Sequence, residues 1–421
     1  MIWIECSLGE VAQVKGGKRL PKGEKFADVP TPFPYIRVTD LANFTVDTSD
    51  LKYLRPETQA SIKRYTITTR DVYISIAGSI GMTGVIPPNL EGANLTENAA
   101  KIVINTPELN PRFLMYFLGS DSAQKEVRSQ TVKNAQPKLA LARIASLKVC
   151  IPPIHEQGHI VKILDLIQRA MEQQERLIVL TTELKSALLH QLFTRGLRGE
   201  PQKQTDIGPV PESWEVRRIG DICNLKSGGT PNRSKTEYWK GGHIPWVKTG
   251  EVDYCVINDT EEKITTAGLA HSSARLFPSG TLLMAMYGQG ITRGKVAILG
   301  VEAATNQACV AIFPQDEVRT KFLYYLFEHK YEYIRNLGHG ANQKNLSAEI
   351  LKGVTVAYPR DKAEQDTVAK SLEWLDKRLS LIRRKQILLS DLFRTLLHQL
   401  MTAQIRVHDL ELPDLETAAA A

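Results

Sequence analysis

The sequence predicts a repeated architecture, in which a mixed α/β (α+β) domain followed by a long α-helix occurs twice. Residues 156–194 return without a gap at 364–402, a fixed offset of 208 (364 − 156), and 13 of the 39 aligned pairs are identical. The stretches before the two helices also echo each other, with short β-branched strands and glycine-rich turns at matched places. A chain of 421 residues accommodates two or three domains, so each copy can bury a core of its own.

The predicted boundaries follow from this repeat and from a change in composition between the copies. Glycine, proline and charge between the copies indicate an exposed linker, and the alanine run at the end indicates an unstructured tail. The predicted segments are a first domain at 1–154, a first helix at 155–198, a linker at 199–213, a second domain at 214–361, a second helix at 362–402 and a tail at 403–421.

Each long helix carries an apolar seam whose members step by three and four residues, which is typical of helix pairing. In the second copy the seam comprises Leu372, Leu375, Leu379, Ile382, Gln386, Leu389, Phe393, Leu396 and Leu400. In the first copy it comprises Leu164, Ile167, Met171, Gln174, Ile178, Thr181, Lys185, Leu188 and Leu192. The polar members of the first seam cost stability but can fix register. The alternative is that each helix packs only on its own domain.

The two globular stretches match segment by segment. The matched pairs are 14–18 with 225–230, 34–37 with 245–248, 72–81 with 281–290, 96–99 with 305–308, 112–118 with 321–327, 132–139 with 340–346, and 147–153 with 354–360. This alignment sets Thr96 against Thr305. Each half therefore reads as strands and turns, closed by a proline-marked exit into its helix.

Composition narrows the class of protein. The net charge of +7 is concentrated in the globular stretches. Residues 1–154 contain 19 Lys and Arg against 14 Asp and Glu, and residues 201–360 contain 19 against 16. A polyanion is a plausible partner for such stretches. No apolar run approaches the roughly 18 residues of a membrane span, and the start lacks a signal-peptide pattern, so we expect a cytoplasmic location. The five scattered cysteines indicate reduced thiols.

Two patterns suggest catalysis or metal binding, and their context argues against both. His155-Glu156-Gln157-Gly158-His159 matches the H-E-x-x-H motif of a zinc protease, but it follows two prolines and the second copy lacks both histidines. The segment 287–295 resembles a phosphate loop, but Gln289 replaces its first glycine and Val296 its metal-binding hydroxyl. We therefore expect no metal, no bound cofactor and no catalytic residues in this chain.

Polar and basic loops recur in both halves instead. Cations combined with amides are the side chains that hold phosphates and read base edges. The same residue types also occur in ordinary solvated loops. The loops near the glycine pairs contain Lys15, Lys18, Arg19, Lys22 and Lys25 in the first half, and Lys226, Asn232, Arg233 and Lys235 in the second. Arg37 and Lys248 are matched, and two amide loops follow, with Lys133, Asn134, Gln136 and Lys138 in one and Asn342, Gln343 and Lys344 in the other.

Two variable domains, each closed by a proline-marked strand and by a Glu-Gln helix ending in LLHQL-x-T, resemble the specificity subunit of a Type I restriction-modification system. The resemblance runs from Trp3 to about Thr402. It implies that each globule is a target-recognition domain for one half of a bipartite double-stranded DNA sequence. It also implies that the long helices form an antiparallel coiled coil, related by a pseudo-two-fold, which sets the gap between the half-targets.

The same resemblance implies the partners and the division of labour. Two modification (methyltransferase) subunits and, in the full complex, restriction subunits would join this chain in the prokaryotic cytosol. Methyl transfer from S-adenosylmethionine and cleavage driven by ATP with Mg would belong to those partners. Two alternatives stay open, a specificity subunit serving a fused restriction-methylation enzyme and a coiled-coil adaptor that does not read DNA.

Carried over by position, the resemblance places DNA contacts on the glycine-flanked loops and the amide loops, with Thr96 and Thr305 as further candidates. The predicted DNA-contacting residues are Lys18, Arg19, Arg37, Gly78, Ser79, Lys133, Asn134, Gln136, Lys138, Asn232, Arg233, Lys248, Gly288, Gln289, Arg293, Asn342, Gln343 and Lys344.

Overall fold

The computed structural model describes residues 3–42, 44–131, 138–288, 291–337 and 346–407. The chain forms two compact units, one made of 1–175 with 384–421 and the other of 176–383. Each unit therefore combines one globule with a part of each long helix. In the described ranges, no helix has both the length and the apolar character needed to cross a membrane.

The first globule builds its sheets from short strands that are distant in sequence. Its strands are β1 (Ile4–Ser7), β2 (Ala12–Gly16), β3 (Pro34–Ile36), β4 (Leu41–Ala42), β5 (Thr45–Val46), β6 (Lys52–Tyr53), β7 (Val72–Ser75), β8 (Thr83–Gly84), β9 (Asn94–Leu95), β10 (Ala99–Ile104) and β11 (Lys148–Ile151). Its helices are α1 (Leu8–Val11), α2 (Pro56–Ser61), α3 (Pro111–Gly119), α4 (Asp121–Gln130) and α5 (Leu141–Ala145), and the long helix α6 (Ile154–Arg195) follows.

The second globule has the same order with additional edge strands. Its strands are β12 (Gln202–Thr205), β13 (Gly208–Pro211), β14 (Trp214–Arg218), β15 (Cys223–Ser227), β16 (Ile244–Val247), β17 (Val256–Ile257), β18 (Lys263–Ile264), β19 (Leu276–Phe277), β20 (Leu282–Ala285), β21 (Val296–Leu299), β22 (Ala303–Thr305), β23 (Cys309–Pro314) and β24 (Thr355–Pro359). Its helices are α7 (Ile219–Ile222), α8 (Thr266–Ala270), α9 (Thr320–His329), α10 (Tyr331–Asn336) and α11 (Ala348–Lys352), followed by α12 (Lys362–Met401).

The two globules share their strand pairing. The order β2-β10-β7-β8 in the first corresponds to β15-β23-β20-β21 in the second, where β17 adds an edge strand. The order β6-β3-β9 likewise corresponds to β18-β16-β22, extended by β19. In both copies the strand that opens the globule pairs antiparallel with the strand that leads into the long helix, β1 with β11 and β14 with β24. The predicted repeat of a mixed domain is confirmed.

The long helices pair antiparallel within each unit. In the first unit, Glu156 at the start of α6 pairs with Arg406 just beyond the end of α12, at 2.9 Å. In the second unit, Lys185 pairs with Asp376 at 2.6 Å, whereas Arg198 beyond the end of α6 approaches Glu364 near the start of α12 at 3.9 Å. Every residue of both predicted seams is buried or half-buried. The seam residues therefore hold the helix pair in both units.

Two boundary segments differ from the prediction. The stretch expected to be a plain linker contains the β12–β13 hairpin, whose turn ends at Gly208 with φ of +97°. The glycine allows the left-handed backbone that a tight turn requires. The tail is also ordered through Val407, whose side chain is buried in the core of the first unit. Residues 408–421 lie outside the described residues.

Candidate nucleic-acid interface

In the first globule, the predicted Gly-Gly loop packs on the turn that follows β9. The Gly17 N–H donates to the Ala99 carbonyl at 3.0 Å, and the Lys18 N–H donates to the Leu95 carbonyl at 2.9 Å. A Cβ added at Gly17 would lie 2.0 Å from the Thr96 carbonyl oxygen. Only glycine allows this approach, which presents the neighbouring Lys18 and Arg19 at the surface.

The second globule repeats the arrangement. The Gly228 N–H donates to the Cys309 carbonyl at 3.3 Å, and the Gly229 N–H donates to the Thr305 carbonyl at 2.8 Å. A Cβ at Gly228 would lie 2.0 Å from the Thr305 hydroxyl oxygen. The first glycine after the strand therefore serves the same close approach in both copies.

These bonds correct the predicted match between Thr96 and Thr305 by one residue. The Thr96 N–H donates to the Ile36 carbonyl, whereas the N–H in the same place on the second globule is that of Asn306, which donates to the Val247 carbonyl. The Asn306 side chain also accepts from the N–H two residues on, as the Thr96 hydroxyl does. Sequence alignment favoured the identical threonines, but the backbone pairing equates Thr96 with Asn306.

The glycine-flanked loop and the end of the amide loop meet beside that turn. In the first globule the Leu139 N–H donates to the Ile76 carbonyl at 3.0 Å, and Ile76 in turn donates to the Asn98 carbonyl at 2.8 Å. In the second globule Leu346 donates to Met286, and Met286 donates to Ala308, at 3.2 and 2.8 Å. Loops that are about 60 residues apart in sequence are thereby gathered onto one surface in each globule.

The geometry of the glycine loops fits that surface. Gly78 has φ of +76° and Gly288 has φ of +141°, conformations that L side chains rarely adopt. Gly78, Ser79 and Gly288 are exposed beyond the buried strands β7 and β20. Lys138 is exposed and bridges to Ala77. A ligand could therefore approach the backbone of both loops closely.

Two predicted cations of the first globule are held by carboxylates. Arg37 lies 2.6 Å from Asp40 and 3.1 Å from Asp50, and the hydrogen bonds that the guanidinium donates to Asp40 raise its pKa. Arg19 lies 2.6 Å from Glu97. The contact of Arg37 and Arg19 with DNA stays a prediction. Either contact would be made by a cation that already has a carboxylate partner in the protein. Lys18 carries its ammonium over the ring of Tyr65 instead.

The second globule couples its cations to acids and tryptophans. The Arg233 guanidinium stacks 3.8 Å from the centre of the Trp239 ring and also pairs with Glu262. Lys248 pairs with Glu261 and lies 3.7 Å from Glu262. Asn232, in the exposed turn beside Arg233, accepts a hydrogen bond from the Ser234 N–H at 2.9 Å. This cluster orients the cations rather than leaving them as mobile surface charges.

Of the remaining predicted residues, one has a buried side chain and the others lie outside the described ranges. Arg293 is only 8% exposed, whereas the other predicted cations within the described ranges are exposed or half-buried. Its role on DNA stays a prediction. The predicted residues outside the described ranges are Lys133, Asn134, Gln136, Gln289, Asn342, Gln343 and Lys344.

The Glu-Gln pair inside the metal-like motif has a structural role. His155 and His159 are exposed, whereas Glu156 is buried against Arg406 and Gln157 is fully buried. Gln157 accepts from the Asn110 N–H and donates to the carbonyls of Glu108 and Pro152. Within the described ranges, no group of three or more His, Cys, Asp or Glu side chains is arranged to hold a metal ion.

Sequence reasoning missed the acidic and aromatic partners of the cations, together with one glutamine of the site. The repeat offered one signal. The matched turns 96–99 and 305–308 are polar in both halves, and they contain Glu97 and Gln307. No spacing rule indicated the partners of the cations. The missed residues are Asp40, Asp50, Glu97, Trp239, Trp246, Glu261, Glu262 and Gln307.

This chain is similar to known proteins of one family. The family model of the Type I restriction modification DNA specificity domain matches residues 2–181 and 211–390. The Type I restriction enzyme MjaIX specificity subunit of Methanocaldococcus jannaschii is 36% identical over 191 residues, which span 44% of this chain and only 43% of that protein. The putative MjaX specificity subunit of the same organism is 23% identical over 389 residues, covering 89% and 88% of the two chains.

A solved structure shows the same fold. The S subunit of a Type I restriction-modification system from M. genitalium superposes with a TM-score of 0.62 at 17% identity, covering 94% of this chain and 96% of that one. At this identity the likeness concerns the arrangement of the backbone alone.

Proposed function

Because the chain belongs to the family of Type I restriction-modification DNA specificity domains, which match it twice, we propose that each globule reads one half of a bipartite double-stranded DNA target. The single observation that carries the proposal is the repeated convergence of loops. Both globules bring the Gly-Gly loop, the polar turn and the glycine-flanked loop onto one surface through equivalent backbone hydrogen bonds.

The side chains on this common scaffold differ between the copies. Arg37 is replaced by Lys248 at the same backbone position, and Glu97 by Gln307. A shared backbone with different polar groups at its surface suits the recognition of two different half-targets, because base edges are distinguished by their donors and acceptors. The surrounding cations would contact phosphates, which position the protein without reading sequence.

The long helices support the proposal that two copies of one partner bind. Val179, Leu180 and Leu184 in the second unit are exposed, and so are their counterparts 208 positions later, Ile387, Leu388 and Leu392, in the first. Exposed apolar residues in such a group mark interaction surfaces. Two equivalent patches fit two modification subunits, to which restriction subunits would be added in the full complex.

In this proposal the chain is a non-catalytic specificity subunit. S-adenosylmethionine, ATP and Mg would be bound by the partner subunits, and the helix pair would fix the gap between the half-targets. The contribution of this chain is then to position the methyltransferase on a defined sequence.

A domain exchange tests the proposal. Residues 1–150 are replaced by the matching domain of another such subunit, and the methylated positions are mapped in host DNA. One half of the methylated sequence should change while the other half and the gap stay the same. A change spread over both halves, or no sequence-specific methylation by the unmodified complex, would overturn it.

A further inference from the structure

We propose that Glu97 and Gln307 are equivalent specificity-determining residues, each selecting one base pair in the half-target of its own globule. The inference deepens the proposed function and rests on it. Both residues follow the turn residues Thr96 and Asn306, which occupy the same backbone position. Each therefore lies on the polar turn that the Gly-Gly loop contacts in its own globule.

Both side chains are oriented by the residue two places after the glycine that makes the close approach, which is Gly17 in the first globule and Gly228 in the second. Arg19 donates from Nε to Glu97 Oε1 at 2.6 Å, and Thr230 donates from its hydroxyl to Gln307 Oε1. Arg19 and Thr230 are themselves equivalent, because Gly17 and Gly228 make the same close approach to the turn. An equivalent hydrogen bond therefore holds residue 97 or 307 in place, although one is a carboxylate and the other a carboxamide.

Among the described residues, neither side chain finds partners for all of its hydrogen-bonding groups. Gln307 is exposed, and the Glu97 side chain is 26% exposed. Glu97 Oε2 accepts from the Thr96 hydroxyl at 3.1 Å, which leaves further lone pairs on the carboxylate. Gln307 uses one lone pair of its oxygen and retains both amide N–H groups. A nucleic-acid base can complete either set.

The chemistry of each residue indicates its base. A carboxylate only accepts, so Glu97 suits the exocyclic amino group of cytosine. The carboxamide both donates and accepts, so Gln307 suits adenine, whose N7 and N6 form a bidentate pair with it. We expect the half-target of the first globule to contain a G·C pair read by Glu97, and that of the second an A·T pair read by Gln307.

Reciprocal substitutions test this inference in the intact complex. Glu97→Gln and Gln307→Glu keep the size of each side chain while exchanging its hydrogen-bonding character. The methylated positions and the relative methylation of every single-base variant of the target are measured by sequencing for the wild type and both variants. Matched controls are Glu108→Gln and Gln315→Glu, exposed residues beyond the far ends of β10 and β23.

Glu97→Gln should reduce discrimination by roughly tenfold or more at one base pair of the first half-target, and Gln307→Glu should do so in the second. The controls should reproduce the wild-type profile. If the wild type methylates a bipartite target and both variants keep its profile, this inference fails while the proposed function stands. If the wild type shows no bipartite target, both fail. A uniform loss at all sequences would assign the residues to general binding and also overturn the inference.

Discussion

Gln157 and Gln365, 208 positions apart, make the same three hydrogen bonds between a long helix and its globule. Each is fully buried. Gln157 accepts from the Asn110 N–H at 2.8 Å and Gln365 from the Arg319 N–H at 2.7 Å. Each also donates to two backbone carbonyls, one at the strand exit before the long helix and one in the loop that precedes α3 or α9. The glutamine thus fixes where each helix leaves its globule.

Gln157→Leu should destabilise the first unit by about 3 kcal/mol, because three buried or partly buried backbone groups lose their partners at roughly 1 kcal/mol each. Urea unfolding followed by fluorescence and circular dichroism measures the effect. Gln173→Leu, an exposed substitution in the same helix, provides the control and should change stability by about 0.5 kcal/mol or less. Equal effects of the two substitutions would contradict a stabilising role for the three hydrogen bonds of Gln157.

Lys185 should be the least replaceable member of the first seam. Its ammonium lies 2.6 Å from both Glu328 and Asp376, with the lysine side chain 10% exposed. Burial raises the pKa of Glu328, and the nearby lysine opposes that rise. Removing the lysine leaves two half-buried acids without their cation, so Lys185→Met should cost about 3 kcal/mol near neutral pH.

The pH dependence of that loss provides a further check. Without Lys185, the pKa of Glu328 should rise further above its value in the unfolded chain. The penalty is then absent below the unfolded pKa, grows as the pH rises above that value, and is complete above the folded pKa. Urea midpoints at pH 5 and pH 8 should therefore show a smaller deficit at pH 5, and Glu328→Leu in the Lys185→Met background should recover stability. A deficit independent of pH would refute the explanation.

His329 should make the second unit sensitive to acid. It stacks on Phe193 with ring centroids 5.5 Å apart, and burial, followed by the charge of Lys330, lowers its pKa to about 4. In the unfolded chain this histidine binds a proton near pH 6.5, whereas in the folded unit it stays neutral until the pH approaches 4. The stability that the neutral histidine contributes is therefore present above pH 6.5 and is lost as the pH falls toward 4. His329→Phe should flatten that loss in thermal melts, whereas the exposed control His271→Phe should leave it in place.

The architecture was predictable from sequence because it rests on periodic patterns. The seams, the strand before each helix and the loops near Gly17 and Gly228 all follow from local residue types and from the repeat. The acid partners were not predictable, because ion pairs form only when distant segments close. Glu97 lies 78 positions from Arg19, and Glu328 lies 143 positions from Lys185. The same reason explains why Lys185, an apparent flaw in the seam, is a paired residue of the core.

The exposed leucines should matter for assembly rather than folding. Leu180→Glu and Leu388→Glu each place a charge in one of the two equivalent patches, where the leucines are 51% and 60% exposed. Each should weaken association with modification subunits at least tenfold in co-purification or sedimentation, while urea midpoints change little. Leu381→Glu is the control, because Leu381 is equally exposed but its counterpart is the polar Gln173. Loss of assembly with the control would show that charge alone is responsible.

The last prediction concerns helix length. At 1.5 Å per residue, α6 with 42 residues is about 63 Å long and α12 with 40 is about 60 Å long. A heptad inserted after Glu175 in α6 and after Arg383 in α12 lies where each helix passes between the two compact units, and seven residues return the seams to the same face.

Each helix should lengthen by about 10 Å, which corresponds to roughly three base pairs at 3.4 Å each. The methylated half-target sequences should stay the same while the gap between them grows by that amount. The turn of the groove over three base pairs should also weaken binding, because the DNA must twist to present both half-targets. Inserting four residues in place of seven is the control, since it rotates the seams and should abolish assembly. Methylation with the original gap would show that another contact sets the spacing.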